Sequence, residues 1–239
     1  MAKPKVLITG ASGLIGGLVI EGLSEKYDFS ALNRGKIEGI PLRQADISNI
    51  DEILPAFEGI DTVLHLSAFL ADVNDWENTN QVNIKGTYNV FEAARKHGVS
   101  RVVFASSGST MLGYELDYPY GHIARGEHEK MPDDWELVDY KDPVRPDSLY
   151  GVSKVFGETL GRYFSDYHGI SVINIRLGAV LDTDKPKFNS VKNPTFCFTT
   201  FFLTKVFSFS TSTNAFSISK PIDSSITFSV YSDFMILFR

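Results

Sequence analysis

The chain of 239 residues is short of cysteine, of tryptophan and of positive charge. With one thiol, Cys197, it can form no intrachain disulfide and hold no zinc through several cysteines, which fits a reducing compartment. The formal net charge of −6 lacks the basic excess of a nucleic-acid binder. No run approaches the roughly 20 apolar residues of a membrane span. The first apolar run, Val6-Leu7-Ile8, is too short for a signal-peptide core and runs straight into Gly10. Together these shortages predict a cytoplasmic protein that acts on small molecules, with no nucleic-acid or membrane partner. Glycine is withheld unevenly: all 19 precede residue 188. From Phe188 to Arg239, Ser, Thr and Phe make up more than half of the residues, and Asp223 and Asp233 are the only acids. Turns in a compact α/β domain usually need glycine. The chain therefore divides into a regular domain over 1–187 and an atypical Phe/Ser/Thr-rich segment over 188–239.

What is present in the first part is an alternation of short apolar runs with helical periodicity. Lys5–Thr9, Asp28–Asn33, Ile40–Gln44, Thr62–Leu66, Arg101–Ala105 and Ser171–Arg176 read as strands. Leu14–Lys26, Ile50–Phe57, Trp76–Lys96 and Ser148–His168 read as helices, with Ser48 or Asn49 as an N-cap and Gly98 as a stop. Near-continuous apolar strands separated by helices imply a doubly wound parallel sheet, an α/β Rossmann fold, with its ligand at the carboxyl ends of the strands.

Between the first strand and the first helix runs Gly10-Ala11-Ser12-Gly13-Leu14-Ile15-Gly16. Such a turn points main-chain N–H groups and the positive helix end at a pyrophosphate, and the strand before and helix after it supply the context that makes the motif specific. Gly10 permits the turn, Gly13 the approach of the phosphates, and Gly16 the close packing of helix on strand. A nicotinamide dinucleotide is the predicted cofactor. Binders of NAD commonly place a carboxylate at the end of the second strand. Here Asn33-Arg34 stands there, and an amide followed by a guanidinium favours the 2′-phosphate of NADP.

Tyr150 and Lys154, four apart, share one face of the helix after the long loop. A nearby ammonium stabilises phenolate, so Tyr150 is predicted to exchange a proton with a substrate hydroxyl or carbonyl while hydride moves to or from the nicotinamide. Ser106-Ser107 ends the fifth strand, and Ser107 is the predicted donor to the substrate oxygen.

These residues, with Asp46-Ile47 and Asn83, resemble the extended short-chain dehydrogenase/reductase family, also called the NAD-dependent epimerase/dehydratase family, over about residues 3–186. The segments 103–107 and 145–158 are most similar to uronate dehydrogenases, although Gly108 and Ser109 replace the asparagine and histidine that follow the serine pair there. The resemblance implies that Asp46 and Ile47 contact adenine and that Leu66, Ser67 and Ala68 line the cofactor. It also implies that Asn83 supports the catalytic lysine, and that helices 76–96 and 148–168 pair across a homodimer axis. It further implies a substrate lobe after the sixth strand, which residues 188–239 do not resemble, so that lobe is truncated or divergent.

Gly113 to Val144 is either an aromatic lid over the site or a surface excursion packed on itself. Its His122 and His128 lack a convergent carboxylate pattern and are read as loop residues, so no metal site is predicted. Three functions compete. They are an oxidoreductase acting on a sugar or related hydroxyl or carbonyl compound, a nucleotide-sugar epimerase or dehydratase, and a dinucleotide binder left without catalysis by a defective C-terminal lobe.

Overall fold

A computed structural model describes residues 2–178 and residue 180. The boundary expected at 187/188 and the whole atypical segment lie outside the described residues. Six strands form one all-parallel sheet: β1 (Lys5–Thr9), β2 (Asp28–Asn33), β3 (Leu42–Gln44), β4 (Thr62–His65), β5 (Arg101–Ser107) and β6 (Ser171–Leu177). Their order is β3-β2-β1-β4-β5-β6. The chain winds outward from β1 to β3, crosses back to β4, and winds outward again on the other side. The order therefore reverses between β1 and β4, and this switch point opens a crevice at their carboxyl ends.

Side chains alternate across the sheet, as the two-residue period of a strand requires. Leu7, Val63, Val102, Phe104 and Val172 enter one core. Val6, Ile8, Leu64, Val103 and Ile173 enter the other. Helix α1 (Leu14–Leu23) packs on the second core through Val19 and Leu23. On the first lie α2 (Ile50–Ile53), α4 (Thr87–Lys96) and α6 (Leu149–His168), through Ile53, Val90, Phe91 and Phe164. Apolar burial on both faces explains why the strands read as continuous apolar runs rather than alternating ones.

Several boundaries differ from those expected. Strand β3 begins at Leu42 rather than Ile40, because Pro41 has no N–H and serves only as acceptor, its carbonyl taking the Ala31 N–H at 2.8 Å. Helix α1 stops at Leu23, and Leu23 O takes the N–H groups of Lys26 and Tyr27 in a closing turn. The helix at 50–57 is α-helical only to Ile53; Leu54–Phe57 continues as a 3-10 turn with Pro55 in its first positions. Strand β5 runs on to Ser107 because β6 keeps pairing with it, Ser106 opposite Arg176 and Ser107 opposite Leu177. The helix expected over 76–96 is continuous but changes winding. After α3 (Trp76–Asn78) it becomes a π-helix over Thr79–Gly86, then α4.

Residues 113–144 form short turns of helix, including α5 (Tyr120–Ala124), whose aromatics pack on one another. The rings of Tyr114 and Tyr120 meet edge-on at 6.2 Å, and their hydroxyls donate to Pro143 O and Glu136 O. The excursion is clasped at its base, where Gly113 N donates to Arg145 O and Arg145 N to Thr110 O. None of residues 113–144 is among the described residues that line the cavity below, which favours the self-packed excursion over the lid. His122 pairs with Glu127 at 2.7 Å. Among the described residues no three His, Cys, Asp or Glu side chains converge as a metal site, and no helix is long and apolar enough to cross a membrane.

Candidate active site

A cavity of about 540 Å³ lies at the switch point. One end is the glycine turn. Gly10 has φ +74°, and a Cβ there would stand 2.9 Å from the main-chain nitrogen of Ser67. A Cβ on Gly16 would stand 2.6 Å from Ala11 O, so only glycine lets the first turn of α1 come this close to the main chain of the turn that follows β1. Gly13 is the N-cap of α1 and offers no side-chain cap. The first-turn N–H groups of Leu14, Ile15 and Gly16 therefore keep no intrahelical acceptor, and Gly10, Gly13, Leu14 and Ile15 face the cavity. Leu66 and Ala68, after β4, line the opposite wall, whereas Ser67 backs Gly10. This cradle, closed to any Cβ and rich in unpaired N–H groups, fits a pyrophosphate.

The groups expected at the adenosine end stand outside that cavity. Asn33 is buried, and its amide nitrogen donates to Ser12 Oγ and Gly35 O, both at 3.0 Å. Asn33 thus braces the glycine turn instead of offering its amide to a ribose, a correction to the expected contact. Arg34 is exposed and stands 4.0 Å from Asp46, whose other oxygen accepts from Ser48 N. The Ile47 side chain is buried in the core against Gly86, and its carbonyl accepts from Asn89, so Ile47 anchors Asp46 rather than presenting a side chain to adenine.

The other end is built from side chains. Ser148 caps α6, its Oγ accepting from Gly151 N at 3.1 Å. Gly151 sets the depth of the helix: a Cβ there would stand 2.5 Å from Ser109 O. This contact seats the first turn of α6 against the 3-10 turn that follows Ser107, whose Oγ accepts from Ser109 N at 3.1 Å. Lys154, 3% exposed, donates from Nζ to Ala105 O at 2.8 Å, with Nζ 5.3 Å from the centre of the Tyr150 ring. Ser107, Tyr150 and Lys154 all line the cavity that the glycine turn opens.

Two expectations about this end need correction. Tyr150 is not held as phenolate by its lysine: burial is the largest influence and raises its pKa, the Ser107 hydrogen bond opposes that, and the charge of Asp147 adds to the rise. Burial also lowers the Lys154 pKa to about 7, so its stabilising charge is itself weakened. Asn83, in the π-helical segment, does not reach Lys154 either. Its amide donates to Phe69 O at 3.0 Å and its carbonyl accepts from Phe69 N at 2.6 Å, fastening the loop that follows β4.

Sequence reasoning missed two buried groups that frame the site. His65, at the end of β4, is hydrogen-bonded to Thr9 at 2.7 Å and to Thr87 at 3.1 Å, and so ties the end of β1 to α4. Burial first, then the Lys154 charge, lowers its pKa to about 3, which keeps it neutral. Arg176 on β6 lies in the cavity wall and is paired with Glu158 of α6.

Residues 6–187 match the NAD dependent epimerase/dehydratase family. The chain belongs to that family. It is 39% identical over 181 residues to the L-arabinose 1-dehydrogenase (NAD(P)+) of Haloferax volcanii, covering 76% of this chain and 69% of that protein. It is 36% identical to the NAD-dependent glucose-6-phosphate dehydrogenase of the same organism, covering 76% of this chain and 71% of that one. Among solved structures, a uronate dehydrogenase mutant from Agrobacterium tumefaciens in complex with NAD superposes with a TM-score of 0.64 at 32% identity. That match covers 77% of this chain but only 64% of the other, under two thirds of its length. The resemblance to uronate dehydrogenases therefore extends to the fold, and the relatives are NAD(P)-dependent enzymes.

Proposed function

We propose that this chain is an NAD(P)-dependent sugar dehydrogenase that moves hydride between nicotinamide and a hydroxyl-bearing or carbonyl carbon. The observation that carries this reading is that Tyr150, Ser107 and Lys154 line together the cavity that the glycine turn opens. In the oxidising direction Tyr150 takes the proton of the substrate hydroxyl as hydride leaves the same carbon; in the reducing direction it returns that proton. Ser107 orients and polarises the reacting oxygen. The oxidised nicotinamide, when bound, supplies the hydride acceptor and a positive charge beside the phenol. Because burial leaves Tyr150 a reluctant base, sugar oxidation is expected to quicken as pH rises and carbonyl reduction to slow.

Arg34 supports a preference for NADP, since its guanidinium, just past the end of β2, stays exposed and only loosely paired with Asp46, 4.0 Å away, within reach of a 2′-phosphate. The exposed Tyr88, Tyr163 and Tyr167 on α4 and α6 support a homodimer through those helices.

The test is to supply NAD or NADP with L-arabinose, glucuronate or glucose 6-phosphate and follow nicotinamide absorbance. Steady net reduction of added cofactor with one of these sugars is the expected result. Tightly retained cofactor, interconversion of a nucleotide-sugar and no net reduction would contradict it in favour of an epimerase.

A further inference from the structure

Residues 66–74, between β4 and α3, form a strap from one end of the cavity to the other. At its start Leu66 N donates to Thr9 O at 3.1 Å and Ser67 N to Thr9 Oγ1 at 3.2 Å, which fixes it beside the glycine turn. In its middle Asn83 grips both main-chain groups of Phe69, at 2.6 and 3.0 Å. At its end Val73 O accepts from Tyr150 N at 2.9 Å, and Asn74 Oδ1 from Leu149 N at 3.4 Å. The strap thus supplies acceptors for the N–H groups of Leu149 and Tyr150, and Ser148 supplies the one for Gly151. Where the N-terminus of α1 is left bare for a ligand, that of α6 is completed by this strap.

Between its tethers the strap turns Leu66, Ala68 and Leu70 to the cavity, while Ser67 backs Gly10. From Leu70 to Asn74 every residue is exposed, so polar tethers rather than packing set its course. A segment held in this way opens at low cost, and a ligand packed on its inner side steadies it. Asn83 is aimed at the strap by an unusual winding, the π-helix Thr79–Gly86; such windings are rare and often mark functional sites. Asn83 is only 2% exposed and is not among the described residues that line the cavity. It can act on a ligand only through the main chain that it holds.

We infer that the strap couples the two ends of the site. A dinucleotide packed on Leu66, Ala68 and Leu70 steadies the strap, and the strap seats Tyr150 through its main-chain N–H. Asn83 is the positioning residue that keeps the strap in place for both. The inference rests on the proposed roles of the cradle and of Tyr150, and adds the link between them.

Amide hydrogen exchange, read by NMR on the full chain with and without saturating NADH, tests the link apart from turnover. In the unaltered protein NADH should slow exchange at Tyr150 about tenfold. Val152 is the control, because its N–H is bonded within α6 to Ser148 O at 2.9 Å. Asn83→Ser is too short to hold Phe69, and should weaken NADH about tenfold in calorimetric titration. At saturating NADH this variant should lose the slowing at Tyr150, while Val152 exchanges as in the unaltered protein. Asn83→Asp keeps the shape and the acceptor for Phe69 N but not the donor to Phe69 O, and should restore part of the slowing. No slowing at Tyr150 in the unaltered protein overturns the coupling, whether or not a variant folds. Slowing that survives Asn83→Ser overturns the role of Asn83. Equal losses at Tyr150 and Val152 mean a helix loosened as a whole, and overturn it too. Failure of the dehydrogenase reading is separate: it is seen in the absorbance assay with sugars, whereas the exchange result needs only NADH.

Discussion

At the β1 end of the cavity the groups that meet a ligand are main-chain N–H groups, whereas at the β5 end they are side chains. The first set exists because Gly10 and Gly16 leave no room for a Cβ, and Gly13 starts a helix without capping it. The second exists because a capped helix brings Tyr150 against Ser107 and buries Lys154 beneath them. The difference teaches what each end tolerates. The glycine turn is indifferent to functional groups but intolerant of volume. The catalytic end keeps its shape through modest changes of side chain but loses its chemistry with a single hydroxyl.

The sharpest way to break that comparison is to add volume at the turn. Gly16→Val drives two methyl groups into the main chain of Ala11, and should destabilise the protein by about 3 kcal/mol and abolish measurable NAD binding. Calorimetric titration and thermal unfolding check both effects, and near-normal NAD affinity would mean that the turn is not the cradle. Next in size, Ser107→Ala should lower kcat about 100-fold with little change in NAD affinity, as steady-state kinetics would show.

A third effect concerns stability alone. His65 has a folded-state pKa of about 3, below its ordinary 6.5, so the unfolded chain binds the extra proton between those values. Stability should therefore fall as pH drops from 6.5 toward 3, and denaturant titrations of His65→Gln should show a flatter dependence across that window. Lys154 acts in another window. Its folded pKa of about 7 lies below the ordinary 10.5, so its burial costs stability most below pH 7, and that cost fades as pH rises to 10.5. The smallest effect is at the rim: Arg34→Ala should weaken NADP about tenfold and leave NAD unaffected, by parallel titration. Equal affinities before and after would remove Arg34 from cofactor choice.

The two ends were also unequally legible in the sequence. The glycine spacing and the four-residue step from Tyr150 to Lys154 are local, since each is set by backbone geometry within one or two turns. The strand pattern was equally plain because each strand is apolar on both faces. What stayed hidden depends on partners distant in the chain. The Ser106–Glu158 bond spans 52 residues, Arg176–Glu158 spans 18, and Asn83 finds Phe69 across 14. His65 reads as one more residue of a buried strand until Thr9 and Thr87 are seen on either side of its ring. The direction of the Tyr150 shift is hidden for a related reason. Sequence shows the ammonium four residues away but not the depth at which both groups are buried, and burial outweighs proximity here. Asn33 is the reverse case, a residue in the expected place whose amide is already engaged with Ser12 and Gly35.

The claim that one end holds the dinucleotide while the other performs chemistry is tested most directly by Tyr150→Phe. The measurement pairs calorimetric titration of NAD and NADP with the rate of cofactor reduction by the sugar that the unaltered protein oxidises. Unchanged dinucleotide affinity with kcat lowered about 100-fold or more is the predicted result. Turnover that survives the loss of this one hydroxyl would contradict the account.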